Sequence, residues 1–325
     1  MKNFFVVFLL VLFTSIFCFA QTEEPEQPEE NWLKEYKIYN MDFINFRYDL
    51  YSKGDLKRFR EMLDQFKSVK SNDKWDGTYI DGQEVGFTTF TWNTEVGFVD
   101  FYVYTCYPEL RVLNYGRVEN TPSYIQIYRE NSKPYEGINS KKYIKVKWGE
   151  AQFLVEEPSL SAFAEKAVGI YVEPEETENG DNHKWYKYLS RGMKEDKLNG
   201  LPEFPGEYKH LKRLPVQAKI ISVGKRKLVK DFEDPLSSEQ SAVYEIRLDS
   251  GEKAGIRKGL KLYIEKTGEE VKIISVGQNN AIGKLVRNID EDGKDSCVDG
   301  NYRKTLCQKI KPSFIAKSIV GQIWY

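Results

Sequence analysis

The chain has 325 residues, enough for two domains of ordinary size, each with its own core. Its 48 basic and 49 acidic side chains leave a net charge of −1, so no global field draws it to nucleic acid or to an anionic membrane surface. Only two histidines and four cysteines are present, with no Cys-x-x-Cys pair, which disfavours a zinc site.

Met1, Lys2 and Asn3 give a positive start, and Phe4 to Ala20 then runs without a charge, the layout of a secretory signal. Cys18 and Ala20 stand at the small-residue places of a cut before Gln21. The run is close to the lower limit of about 17 residues for a spanning helix, so an uncleaved anchor stays open and would be the chain's one membrane contact. Phe17 stands where a lipoprotein signal needs a small residue, which argues against a lipid on Cys18. In either case the remainder is translocated, and the expected location is periplasmic or secreted. Gln21 to Asn31 is a Pro/Glu-rich segment with nothing apolar to bury and reads as a solvated tether.

A first domain, α+β in class, is expected over 32–172. Leu56, Phe59, Leu63 and Phe66 recur at helical spacing, with Asp55 as a cap. Phe87 to Trp92 and Phe98 to Tyr104 read as a hairpin around Asn93 to Gly97. In a second hairpin, Ile144, Val146 and Trp148 alternate with Lys145 and Lys147, which predicts one core face and one solvent face. Pro158 starts a short helix with Leu160, Phe163, Ala164, Ala167 and Val168 on one side, stopped by Gly169. Residues 173–215 are acidic, then Pro-rich, and read as a connector, with Trp185 to Leu189 docking on a domain.

From 216 to 325 the pattern is all short strands, the spacing of a small β-barrel. Lys-Ile-Ile-Ser-Val-Gly occurs twice, at Lys219 to Gly224 and Lys272 to Gly277. An internal duplication and chance reuse of strand residues both explain it. Gly255-Ile256-Arg257-Lys258-Gly259-Leu260, the run Leu262 to Ile264, the Gly268 turn, Val271 to Val276 and Ala281 to Val286 together resemble the small β-barrel modules of bacterial cell-envelope assembly proteins. The flagellar assembly protein T C-terminal domain and the rod-shape-determining protein C are of this kind. The resemblance implies a scaffold or interaction surface and brings no catalytic residue. The first domain resembles uncharacterised exported bacterial proteins in its Trp148-Gly149 hairpin and Cys106-Tyr107 strand, which implies no function.

Loss of the signal leaves Cys106, Cys297 and Cys307. In an oxidising compartment Cys297 and Cys307 are the expected disulfide, while Cys106, among Tyr104, Thr105 and Tyr107, reads as a buried thiol or as a bridge to a partner. Asn288, Asp290, Asp292, Lys294 through its carbonyl, and Asp299 follow the spacing of a calcium loop, whose ion takes about six to eight oxygens. The alternative is an acidic solvated loop. Calcium is the one cofactor the sequence suggests. Trp75, Tyr79 and Trp92 lie near Asp73, Asp76 and Asp81, an arrangement that fits stacking on a sugar face or, alternatively, core filling.

Leu248-Asp249-Ser250-Gly251 matches an aspartic-peptidase core once only and is followed by Glu252 and Lys253, so it reads as a polar turn. His183 and His210 stand in polar connectors and support no catalytic triad. No catalytic residue is nominated. The expectation is a non-enzymatic interaction or scaffold module with a protein or cell-envelope partner; the alternative is an envelope-glycan-binding protein or a hydrolase of extracellular polymers.

Overall fold

The computed structural model describes residues 45–46, 53–83, 86–104, 109–130, 142–172, 188–192, 198–230, 240–290, 292–298 and 304–321. The signal, the acidic tether, Cys106, His183, Asp299 and residues 173–187 of the connector lie outside them. Among the described residues no helix is long and apolar enough to cross a membrane.

The first unit holds β1 (Asn45–Phe46), α1 (Lys53–Ser68), β2 (Gly77–Gln83), β3 (Gly86–Asn93), β4 (Gly97–Tyr104) and β5 (Glu109–Asn120). It continues through β6 (Tyr124–Arg129), β7 (Lys142–Trp148), β8 (Ala151–Glu156), α2 (Leu160–Ala167) and β9 (Tyr188–Arg191). Strands β2 to β9 form one antiparallel ring in chain order, because β5 pairs with β6 and β9 pairs with β2; β1 adds to β5 in parallel. The α+β domain expected from sequence is therefore itself a closed up-and-down barrel carrying two helices on its outside. Helix α1 spans Lys53–Ser68, so Asp55 stands within it rather than at its cap.

Ring closure overturns the expected solvent face of β7 at Lys145, while Lys147 is exposed as expected. Ile144, Val146 and Trp148 point outward, where Phe153, Val155 and α2 (Leu160, Phe163, Ala164, Ala167) bury them. Phe163 packs on Phe153 and Tyr188 at ring distances of 5.3 and 5.6 Å. Tyr143 and Lys145 point inward with Tyr79, Phe90, Trp92, Phe98, Ile125 and Leu154, so both sides of the strand are covered from Tyr143 to Val146. The connector also differs from expectation. Its Tyr188–Arg191 stretch is the strand that closes the ring, and Glu203 bridges to Lys147 by backbone hydrogen bonds in both directions.

The second unit contains β10 (Gln217–Val223), β11 (Lys227–Lys230), β12 (Gln240–Leu248), β13 (Lys261–Ile264), β14 (Glu270–Val276) and β15 (Ala281–Ile289). The hairpin β16 (Asp295–Val298) and β17 (Lys304–Leu306) and the strand β18 (Ile315–Lys317) complete it. Strands β10, β12, β15, β14, β13 and β18 close a second antiparallel ring, as the small barrel predicted from sequence. Ile220, Ile246, Leu248, Leu262, Val271, Ile273 and Leu285 fill it, and Val168 and Ile170, just after α2, join that core.

The repeated hexapeptide occupies equivalent places in this ring. Ile220, Ser222 and Val223 pair with Leu248, Arg247 and Ile246; Ile273, Ser275 and Val276 pair with Gly283, Ile282 and Ala281. Each copy carries a bulge between its first isoleucine and its serine. The likeness extends beyond the hexapeptide. Ile273 exchanges backbone hydrogen bonds of 2.8 Å with Leu260 and Gly259, and Ile220 does the same with Phe314 and Ser313. The bond from Ile264 N–H to Glu269 has its counterpart in the bond from Ser318 N–H to Val216, both 2.9 Å. An approximate two-fold axis through the Arg247 and Ile282 pair therefore exchanges β10 with β14, β12 with β15, and β18 with β13. One repeat is continuous and the other is split between the two ends of the unit.

This symmetry explains a strained position. Gly259 adopts φ +86° and Ser313, its counterpart, φ +81°, the only non-glycine residue among those described with positive φ. A left-handed backbone costs an L-residue roughly 1–2 kcal/mol. Ser313→Gly is expected to stabilise the protein by roughly 0.5–1 kcal/mol after the added freedom of the unfolded chain is subtracted. Gly259→Ala should destabilise by more, because its Cβ would also lie 2.7 Å from Val172 Cγ1. Denaturant midpoints of the two variants measure both effects.

Candidate functional site

Three polar clusters stand out. The first seals the end of the first barrel where the turns after α1, β3 and β5 meet. Asp73 accepts from the Trp75 backbone N–H at 2.9 Å and from Asn120 Nδ2 at 2.7 Å. Asp76 accepts from Asn93 Nδ2 and Thr94 Oγ1. Lys145, its side chain 2% exposed, donates to Asn120 Oδ1 and to the Thr121 carbonyl and stands 3.8 Å from Asp73. Its ammonium lies over the Trp75 and Trp92 rings at 5.7 and 5.6 Å. Arg191 donates to the Asp76 and Lys74 carbonyls and to Gln152 Oε1, and covers the Tyr79 ring.

Electrostatics follow from that packing. Burial lowers the Lys145 ammonium from its ordinary value against the opposing pull of Asp73 and Asp76. Burial alone would raise the Asp73 carboxyl, but the Trp75 N–H, the Asn120 amide and the charges of Lys145 and Lys74 outweigh it and hold the group below 3.8. Burial pushes the Tyr79 phenol up, and its O–H donates to the Trp75 carbonyl. Lys145, through two hydrogen bonds and its ion pair with Asp73, and both Asp carboxylates are thus engaged within the protein, which suits a structural plug.

The sugar-stacking expectation needs correction here. Tyr79 and Trp92 are wholly buried because alternation in a closed barrel turns both inward, and Trp75, in the turn before β2, is nearly so because it packs on the same core, where a glycan face cannot reach them. What the sequence reading missed is Lys145, whose alternation with Ile144 and Val146 looked like a solvent face. The cation closes the barrel instead.

A second cluster lies deeper in the same barrel. Asn114 Nδ2 donates to Asp100, Tyr143 O–H donates to Glu156, and Asp100 and Asn114 are wholly buried. Burial first, then Glu156 and Asp100, push the Tyr143 phenol well up. These acids are packed inside the barrel, not exposed to a solvated cleft.

The third cluster sits beside the disulfide. Cys297 and Cys307 are bonded across the β16–β17 hairpin. Buried Arg287 binds Glu269 through Nε and Nη2 at 2.6 and 2.9 Å, Asp295 at 3.2 Å and the Gln308 carbonyl at 2.8 Å. Arg226 and the Tyr244 phenol also bind Asp295. Glu269, Cys297 and Cys307 come within ligating distance of one another, but the sulfurs are bonded to each other and the carboxylate is held by Arg287.

The described members of the expected calcium loop form a tight hairpin turn. Asn288 is a strand residue opposite Ser296, Asp290 accepts from the Lys294 N–H at 2.7 Å, and the Lys294 carbonyl is taken by the Asp290 N–H. Asp292 faces the Lys294 ammonium at 3.4 Å. The Asp249 turn is equally closed: its carboxylate accepts from the Lys219 N–H and Ser250 Oγ, and Gly251 lies against the Gly277 and Asn280 carbonyls.

No protein-family model, no curated protein and no solved structure matches the chain.

Two outcomes follow from these clusters. Lys145→Ala leaves Asn120 Oδ1 and the Thr121 carbonyl without their donor and the partly exposed Asp73 without its cation, and should cost about 1–3 kcal/mol in denaturant unfolding. The Asp73 carboxyl is depressed in the folded state, so its contribution is full above the unfolded value near 3.8 and is lost as the pH falls through the folded value. Asp73→Asn should flatten that acid limb in a pH series of unfolding free energies. Separately, Cys297→Ser with Cys307→Ser should lower stability by roughly 2–3 kcal/mol, as expected for a short closed loop, with the wild type in reductant matching it.

Proposed function

We propose that this chain is an exported, non-enzymatic binding protein of the bacterial cell envelope, a scaffold of two joined barrels whose second barrel carries the contact face. The carrying observation is apolar side chains left outside. Ile221, Ile274 and Val286 are 53%, 43% and 50% exposed on the outer faces of β10, β14 and β15. Each bulge turns the second isoleucine of its hexapeptide outward, on either side of the Arg247 and Ile282 pair; Val286 lies directly opposite Val243, with Val229 one strand further on. Grouped aliphatic residues on a soluble surface mark interaction sites.

The signal-like start and the resemblance of Gly255 to Val286 to envelope-assembly modules support the same reading. The hydrolase alternative needs converging acids open to substrate, whereas Asp73, Asp76, Asp249 and Asp295 are engaged by their own neighbours.

The test is affinity capture of partners from envelope extracts with the wild type and with Ile221→Asp/Ile274→Asp, both checked for native circular dichroism. The wild type should retain a defined protein set that the variant loses. An identical set on both would reject the face, and recovery of the unprocessed chain in the cytosolic fraction would reject export.

A further inference from the structure

The same outer face carries charge as well as apolar surface, and its arrangement identifies the partner's chemistry. Lys261, Lys272 and Lys284 stand in one cross-strand row over β13, β14 and β15, each directly opposite the next, and all three are exposed. Lys261 has Glu270 at 3.4 Å, but Lys272 and Lys284 make no ion pair among the described residues. Like charges directly opposite in a sheet are destabilising. The row lies between the apolar group of Ile221, Ile274 and Ile282 and the apolar pair Val243 and Val286, with Lys227 and Arg247 in the flanking rows. Two other cations of the barrel surface are paired, Lys317 with Glu265 at 2.8 Å and Arg226 with Asp295 at 2.8 Å.

We propose that this face docks a protein partner whose own surface sets acidic side chains beside aliphatic ones, carboxylates meeting Lys272 and Lys284 while apolar groups cover Ile221, Ile274 and Val286. The inference rests on the binding-protein reading and specifies its partner. Complementary charge relieves the repulsion within the lysine row and suppresses basic partners. A lipid surface fits less well. Glu245 occupies the same row directly opposite Lys284, and it would be pressed against anionic headgroups. A protein can place its carboxylates over Lys272 and Lys284 and away from Glu245, which a continuous sheet of headgroups cannot do.

The test uses the full-length processed protein and three probes: a fluorescent peptide of alternating glutamate and leucine, the same peptide with lysine for glutamate, and vesicles of anionic phospholipid. Fluorescence anisotropy should show the wild type preferring the glutamate peptide, with binding weakening as salt rises from about 0.05 to about 0.5 M. Lys272→Glu/Lys284→Glu should exchange the preference, by about tenfold or more in each direction. Ile221→Asp/Ile274→Asp should lose both peptides.

Equal binding of the two peptides by the wild type, an unchanged preference after charge reversal, or vesicle binding without peptide binding would each overturn the proposal. Failure of envelope capture with the peptide exchange intact would sink the envelope reading alone. Capture that survives while charge reversal has no effect would sink this inference alone.

Discussion

Each sheet ends by hydrogen-bonding to its own beginning, and most other features follow from that closure. In the first barrel β5 meets β6 and β9 meets β2; in the second, β12 meets β15 and β13 meets β18. Closure satisfies backbone groups that an open edge would leave to water, and it divides every strand into an inside and an outside. Where α2 also covers the outside, as over β7 from Tyr143 to Val146, neither side of the strand reaches solvent. A lysine there must be paired or lost, and Lys145 is held by Asp73, Asn120, Thr121 and two indole rings.

The barrels are joined by the segment after α2. Gly169 turns the chain with φ +67°, and a side chain there would meet the Ile319 backbone. Val168 and Ile170 then enter the second core, Gly321 N–H bonds to the Ala167 carbonyl, and Arg257 ties Glu165 to the Ile170 carbonyl. Arg257 belongs to the Gly255 to Leu260 turn, so that turn also forms the seam with the first barrel. The two-fold pattern places Lys311 at the equivalent point, where it closes the Phe314 turn by its carbonyl.

Polar groups inside and apolar groups outside divide the molecule by role. The buried acids, Lys145 and Arg287 are engaged by neighbours in the same chain, so their chemistry is spent on holding turns and hairpins in place. The aliphatic residues on the outer face of the second barrel have no such cover. The hexapeptide makes this visible: in each copy one isoleucine is buried and the next, at the bulge, is exposed. A bulge re-aims side chains at a definite place in a strand, and here it does so on both sides of the approximate axis.

Local patterns were readable because they depend on near neighbours. The first hairpin, with its turn at Thr94 to Val96, and the short helix from Leu160 to Ala167 follow from residue type and spacing; the Cys297 to Cys307 bond was expected from nearness in sequence and an oxidising compartment, and its connectivity was decided by the structure. The small second barrel was legible from its closely spaced turns. That the first unit is also a ring, that Tyr188 to Arg191 is its closing strand, and that Trp75, Tyr79, Trp92 and Lys145 face inward required tertiary structure. Period-two alternation marks two sides of a strand but does not say which side is covered, or by what. The meaning of the hexapeptide was likewise undecided until the pairing partners of each copy were known, since symmetry resides in the registers between strands and not in the six residues.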